Sequence, residues 1–223
     1  MKSNLSLWLA LGFLGLCSLN PLQGEETAPS LAMPHSPWIS IPSGIEINSR
    51  DQMLRFPVEV VNDNGGLEFI LTIGKDKDYE SLFACSFKAQ DLHLAMLMIS
   101  ACPQGNIELQ PSLGSRVKIS VTMAEQTYPI ESWLSWSNDQ PVKDLGLYFH
   151  GSAFAMSQNK KIYLADQSLN AVAAWASHDM VLGPSVKVGN PYIEDDTPYL
   201  RPCAKLPHPK GSKGSMLIEL LKP

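Results

Sequence analysis

The sequence lacks the motifs that would name a reaction. It has no GxSxG elbow to hold a nucleophilic serine above a sheet, and no HxxxH or HxxE spacing to converge metal ligands on one helix face. Positive charge is short as well: 17 Lys and Arg stand against 22 Asp and Glu, a net charge of −5. The densest basic stretch, Lys205 to Lys213, is spread through Pro and Gly with no interleaved aromatics, which argues against nucleic acid as a partner. No apolar run approaches the length of a membrane span. The cysteines are few, and an odd number, Cys85, Cys102 and Cys203, lies beyond residue 24. If any bridge forms, Cys102 with Cys203 is the candidate, with buried free thiols as the alternative; Cys85 and Cys102 flank a helix too long for them to meet.

What is present begins with an export address. Lys2 precedes a ten-residue apolar run, Leu7 to Leu16, the size of a signal-peptide core. Residues 1–24 therefore read as a signal peptide, and a small or lipidated residue near its end is expected: either cleavage at Gly24 or a lipid anchor at Cys17, although Leu16 is bulky for the position before a lipidated cysteine. Removing residues 1–24, which carry one charge, Lys2, leaves 16 basic and 22 acidic residues, a net of about −6. Pro29, Pro34, Pro37 and Pro42 then punctuate residues 25–43, which have neither helical nor alternating period and read as a tether. Residues 44–223 are expected to form one domain, with no transmembrane helix once the signal is removed.

The expected fold class is α+β: an antiparallel, β-dominated domain with one main buried helix, about residues 90–101, packed on the sheet. Gly44 to Asn48 and Met53 to Val61 read as strands, and Pro57 marks an edge or a bulge because it cannot donate a ladder hydrogen bond. Asn62 to Gly66 is a dense turn signal, so Met53 to Val61 and Leu67 to Ile73 are expected to pair as a hairpin. After the charged turn Lys75 to Asp78, Tyr79 to Cys85 reads as a strand. Gln90 to Ala101 follows as a helix apolar around nearly its whole circumference, the pattern of a fully buried helix. Arg116 to Met123, Leu147 to Phe154, Ile162 to Ala165 and Met216 to Leu221 complete the strands. Residues 128–136 and 170–177 fit strand or helix.

The residues with chemical potential gather in Lys75 to Ala101. His93 lies near the amino end of the helix, where the dipole disfavours imidazolium, leaving a neutral ring able to accept a proton or a metal. It equally suits a core histidine bonded to backbone. Glu80 is the carboxylate nearest in sequence, with Lys77 beside it. Glu80 and His93 could form an acid/base pair, against a plain ion pair of Glu80 with Lys77. Period two points Ser81 away from Glu80, which disfavours a Ser81, His93 and Glu80 triad. Met96 and Met98 invite a Cu(I) reading with His93, but as core methionines they need no metal. Glu194, Asp195 and Asp196 match no EF-hand spacing, and Gly211 to Ser215 precede a strand and not a helix.

With these residues laid out, the chain resembles the YdjY-like domain family of exported bacterial proteins. The resemblance rests on Lys77, Tyr79, Glu80, Ser81 and Leu82, then Asp91, Leu92, His93 and Ala95, then Phe149, Gly151 and Ser152, then Tyr163, Ala165 and Asp166, and the closing Leu221 and Pro223. It spans about residues 44–223 and departs at His150, where a threonine is expected. It implies an exported domain, periplasmic or extracellular, and no particular reaction. The function expected is therefore that of a non-catalytic envelope protein binding a small ligand or another envelope protein, with no cofactor. A hydrolase or lyase using Glu80 and His93, with Lys77, is the alternative, and metal handling through His93 a second one.

Overall fold

Fifteen short strands, two α-helices and two 3-10 turns account for the regular structure in the computed structural model, which describes residues 37–103, 114–193 and 196–222. In chain order the first half contains β1 (Ile39–Ser40), β2 (Glu46–Asn48), β3 (Met53–Val60), β4 (Phe69–Ile73), β5 (Ser81–Cys85) and helix α1 (Ala89–Met98). The second half contains β6 (Val117–Met123), β7 (Gln126–Pro129), β8 (Leu134–Trp136), β9 (Leu147–Phe149), β10 (Phe154–Ser157), β11 (Lys160–Tyr163), helix α2 (Leu164–Ser168), β12 (Asn170–Ala173), β13 (Leu182–Pro184), β14 (Leu200–Pro202) and β15 (Lys213–Leu220). The expected signal peptide with Cys17, most of the tether, Glu194 and Asp195 lie outside the described residues.

One sheet carries the domain, in the order β7-β6-β15-β3-β5-β4-β12-β13-β9, with β2 and β1 continuing from β3. An isolated bridge between Arg116 and Tyr148 and the bond from Phe149 N to Ser115 O bring β9 back against the start of β6, so the sheet curls back on itself. β1, expected in the tether, pairs with β2. Alternation builds the core on β3, where Leu54, Phe56, Val58 and Val60 are buried while Pro57 is exposed. β4 and β5 bury nearly every residue, as strands covered on both faces must.

Four expectations change. The sheet is β-dominated and mainly antiparallel, but mixed: β4 and β5 run parallel, and so do β12 and β13. The hairpin of β3 with β4 does not form, because β5 inserts between them, antiparallel to β3 and parallel to β4. The turn residues serve another end: Asn62 Nδ2 donates to Tyr79 O at 2.8 Å, and Gly66 packs so closely on Pro191 that a Cβ would lie 2.3 Å from its ring. Helix α1 is not buried all round. Ala89, Leu92, Ala95 and Met96 face the core, whereas Leu94, Leu97 and Met98 are exposed, because only one side of the helix has the body to pack against. Cys85, Cys102 and Cys203 are all free thiols, so the Cys102 and Cys203 bridge is absent.

Both ambiguous segments mix states. Residues 126–136 run strand, 3-10 turn (Ile130–Trp133), strand; residues 170–173 form β12 and the chain then leaves the sheet. The turn places Trp133 in the core, edge-on to Phe83. No helix among the described residues is long and apolar enough to cross a membrane.

Candidate functional site

Parallel pairing of β4 with β5 sets Phe69 opposite Ser81, so the residues just before them, Glu68 and Glu80, emerge side by side at one end of the sheet. Glu68 N donates to Glu80 O at 2.9 Å, which fixes that neighbourhood through the backbone. A 3-10 turn, Asp78–Glu80, delivers Glu80 into the strand, and Ser81 Oγ closes it by donating to Lys77 O at 2.6 Å. Tyr79 to Cys85 is thus a turn and then a strand, so period two does not govern Glu80.

Lys77 answers both carboxylates. Its Nζ donates to Glu80 Oε1 at 2.8 Å, stands 4.0 Å from Glu68 Oε2, and lies 4.8 Å from the centre of the Phe69 ring. Glu80 is 5% exposed, and this pairing makes its burial tolerable. Burial pulls the Lys77 ammonium toward neutrality, but the hydrogen bond to Glu80 and the charges of Glu80 and Glu68 outweigh it and hold its pKa above the ordinary value. Glu68 goes the other way: burial raises its pKa, the charge of Glu80 adds to that, and Lys77 only partly offsets them. Beside this trio Tyr79 and Tyr192 are both more than half exposed. Asp179, whose charge also reaches Glu68, lines an adjoining cavity of about 390 Å³ with Trp175 and His178.

His93 belongs to a different cluster. Its Nδ1 is 2.8 Å from Gly151 O and 2.8 Å from the Tyr163 hydroxyl, and that hydroxyl donates to Gly151 O at 2.9 Å. One assignment satisfies all three atoms: Nδ1–H and the tyrosine O–H both donate to the two lone pairs of the carbonyl. Phe149 and Tyr163 meet the imidazole edge-on. Burial lowers the His93 pKa, partly countered by the Gly151 carbonyl, which favours the uncharged ring. Ser152 continues the knot, donating to Asp179 O at 2.9 Å and accepting from Ala165 N at 3.1 Å, while Asp166 accepts from Gln90 N at the start of α1.

The structure therefore joins Lys77 to Glu80 and joins His93 to Gly151 and Tyr163; no hydrogen bond or ion pair links Glu80 with His93. Met96 is buried and Met98 exposed, so the two methionines do not converge on one environment, and the described residues contain no group of three or more His, Cys, Asp or Glu arranged for a metal. His150 is buried, with Nε2 3.3 Å from Gly183 O. Sequence reasoning missed Glu68, because its proximity to Glu80 arises only from the parallel pairing. It also missed the partners of His93, which lie 58 and 70 residues away. Comparison with family models, curated proteins and solved structures finds no match to this chain.

Proposed function

We propose that this chain is an exported cell-envelope protein, a YdjY-like domain that acts without catalysis by binding an envelope partner at the charged lip of β4 and β5. The observation that carries the reading is the juxtaposition at Lys77: a half-buried ion pair with Glu80, a second carboxylate on Glu68, and the exposed rings of Tyr79 and Tyr192 beside them. Tyrosines next to a fixed charge are the residues from which binding hot spots are built, since they present large area at little entropic cost. Lys77 answers both Glu80 and Glu68, which supports a fixed recognition surface.

The family resemblance gains support from space. Asp91, His93, Gly151, Ser152, Tyr163, Ala165 and Asp166, scattered in sequence, gather where α1, α2 and β11 meet, and Lys77, Tyr79, Glu80 and Ser81 form the lip. Export rests on Lys2 and the apolar run Leu7 to Leu16, with Cys17 as the lipid anchor where one is attached.

The test is crosslinking in intact cells followed by affinity capture of the full chain and of a Tyr79→Ser, Tyr192→Ser double variant. A reproducible partner that the wild-type chain recovers and the variant loses supports the lip. Recovery of nothing, or of the same partners by both proteins, overturns it. Cell fractionation with and without residues 1–24 checks export independently.

A further inference from the structure

A second concavity, separate from the lip and independent of the reading above, opens where β3 and β5 part. They pair through Glu59 with Ala84 and Val60 with Phe83, continued by Val61 N donating to Leu82 O. Val60 N donates to Ser212 O, so even-numbered residues of β3 turn their backbone groups toward β15 and odd-numbered ones toward the opposite edge. On that edge β2 reaches only Arg55 and β5 only Glu59, and between them stands Pro57, which has no N–H to offer another strand. Past Ala84 the two strands diverge, leaving a cleft of about 380 Å³, within the range of small-molecule sites, about 300–1,000 Å³.

The cleft has an apolar floor and a charged rim. Pro57, Val58, Ala84 and Cys85 form the floor; among the described residues Lys75, Lys213 and Glu59 are the charged groups that line it. The Cys85 thiol, raised to about 12 by burial, stays uncharged and does not repel an anion. At the rim Lys75 Nζ donates to Glu59 Oε1 at 2.8 Å; that bond holds the Glu59 carboxyl below its ordinary pKa, and Lys213 adds to the effect. Two ammonium groups facing one carboxylate leave a single positive charge unanswered. Gly74 contributes no side chain, and its Cβ position would meet nothing within 4 Å, so that wall of the cleft is open.

We propose that this cleft binds a small amphiphilic monocarboxylate, its apolar body on Pro57, Val58, Ala84 and Cys85 and its carboxylate at Lys75 and Lys213. Charge complementarity chooses the ligand. A cationic amphiphile would face the two lysines, and a neutral one would leave the excess charge unpaired, whereas a monoanion neutralises it while covering the floor.

Calorimetric titration of the full mature chain with sodium decanoate, decanol and decyltrimethylammonium, each below its aggregation concentration, tests this. Decanoate is expected to bind one to one and at least tenfold more tightly than either analogue, with affinity falling as salt is added. Lys75→Ala with Lys213→Ala should weaken decanoate binding by tenfold or more. Ser86→Trp, at an exposed position on the cleft wall, should fill the space and abolish it with thermal unfolding unchanged. Absence of decanoate binding, equal binding of the three probes, or binding indifferent to Ser86→Trp would each overturn the proposal, whether or not the lysine variant folds.

Discussion

The lip at Lys77 and the knot at His93 are built from opposite electrostatics. At the lip three ionisable side chains meet: Lys77 is held charged, Glu68 is pushed toward neutrality, and exposed tyrosines lie beside them. In the knot the polar atoms are neutral and satisfied by one another and by a backbone carbonyl, and the ring is wedged between Phe149 and Tyr163. Charge kept at a surface with aromatics beside it is available to a partner. A neutral histidine whose Nδ1 is fixed by a glycine carbonyl ties α1 to the loop before β10. The two places lie in one stretch of sequence, yet one gathers ionisable groups beside exposed rings and the other ties a helix to a loop through neutral hydrogen bonds.

The largest expected effect breaks the knot without touching charge. Gly151 has φ +85°, and a Cβ there would sit 2.7 Å from Pro103 Cβ and 3.2 Å from His93 Cε1. Gly151→Ala should cost about 3 kcal/mol, combining left-handed strain with overpacking, as read by urea unfolding. A cost below 1 kcal/mol would mean the knot is loose and would erase the contrast. Next comes the lip: Lys77→Met leaves Glu80 buried beside Glu68 and should cost about 2 kcal/mol, less than a fully buried pair because Lys77 is about one-third exposed. Adding Glu80→Gln should return most of that loss, since the penalty belongs to the orphaned charge; additive losses would show that the pair acts by packing alone.

Much of the fold was legible where a residue's role depends on its near neighbours. The alternation in β3, β6 and β15 reads directly as half-buried strands, and Pro57 marks an unpaired edge because its missing N–H is a local fact. The hairpin of β3 with β4 was misread because Asn62 to Gly66 does turn the chain, but a turn does not choose a partner, and β5, more than 20 residues further along than β3, competes for the same edge. Burial of α1 was misread because apolar side chains permit burial and cannot create the second body that would cover Leu94, Leu97 and Met98. Of the site, the bond from Lys77 to Glu80 is a three-residue contact and was visible as one reading; Glu68, Gly151 and Tyr163 enter through long-range pairing that no local pattern encodes.

The smaller effects are pH slopes, and their signs oppose. Glu68 has a pKa raised above its ordinary 4.5, so the native state holds that proton more tightly than the unfolded chain, and stability falls as pH rises from 4.5 through the raised value. Glu68→Gln should therefore raise Tm by about 1–2 °C at neutral pH, and the gain should vanish in acid below 4.5.

His93 is lowered from 6.5, so the unfolded chain binds its proton more tightly. Its contribution is intact above 6.5 and is lost as pH falls through the depressed native value; His150, also lowered by burial, adds a contribution of the same sign. With Glu68→Gln as the background, which removes the opposing slope, denaturation midpoints at pH 8 and pH 5.5 should fall toward acid. Adding His93→Gln should shrink that fall, leaving the share due to His150. An unchanged fall would mean that His93 titrates freely in the folded protein. The ring would then be no neutral tie, and its free imidazole chemistry, not its anchoring of α1, would become the difference between knot and lip.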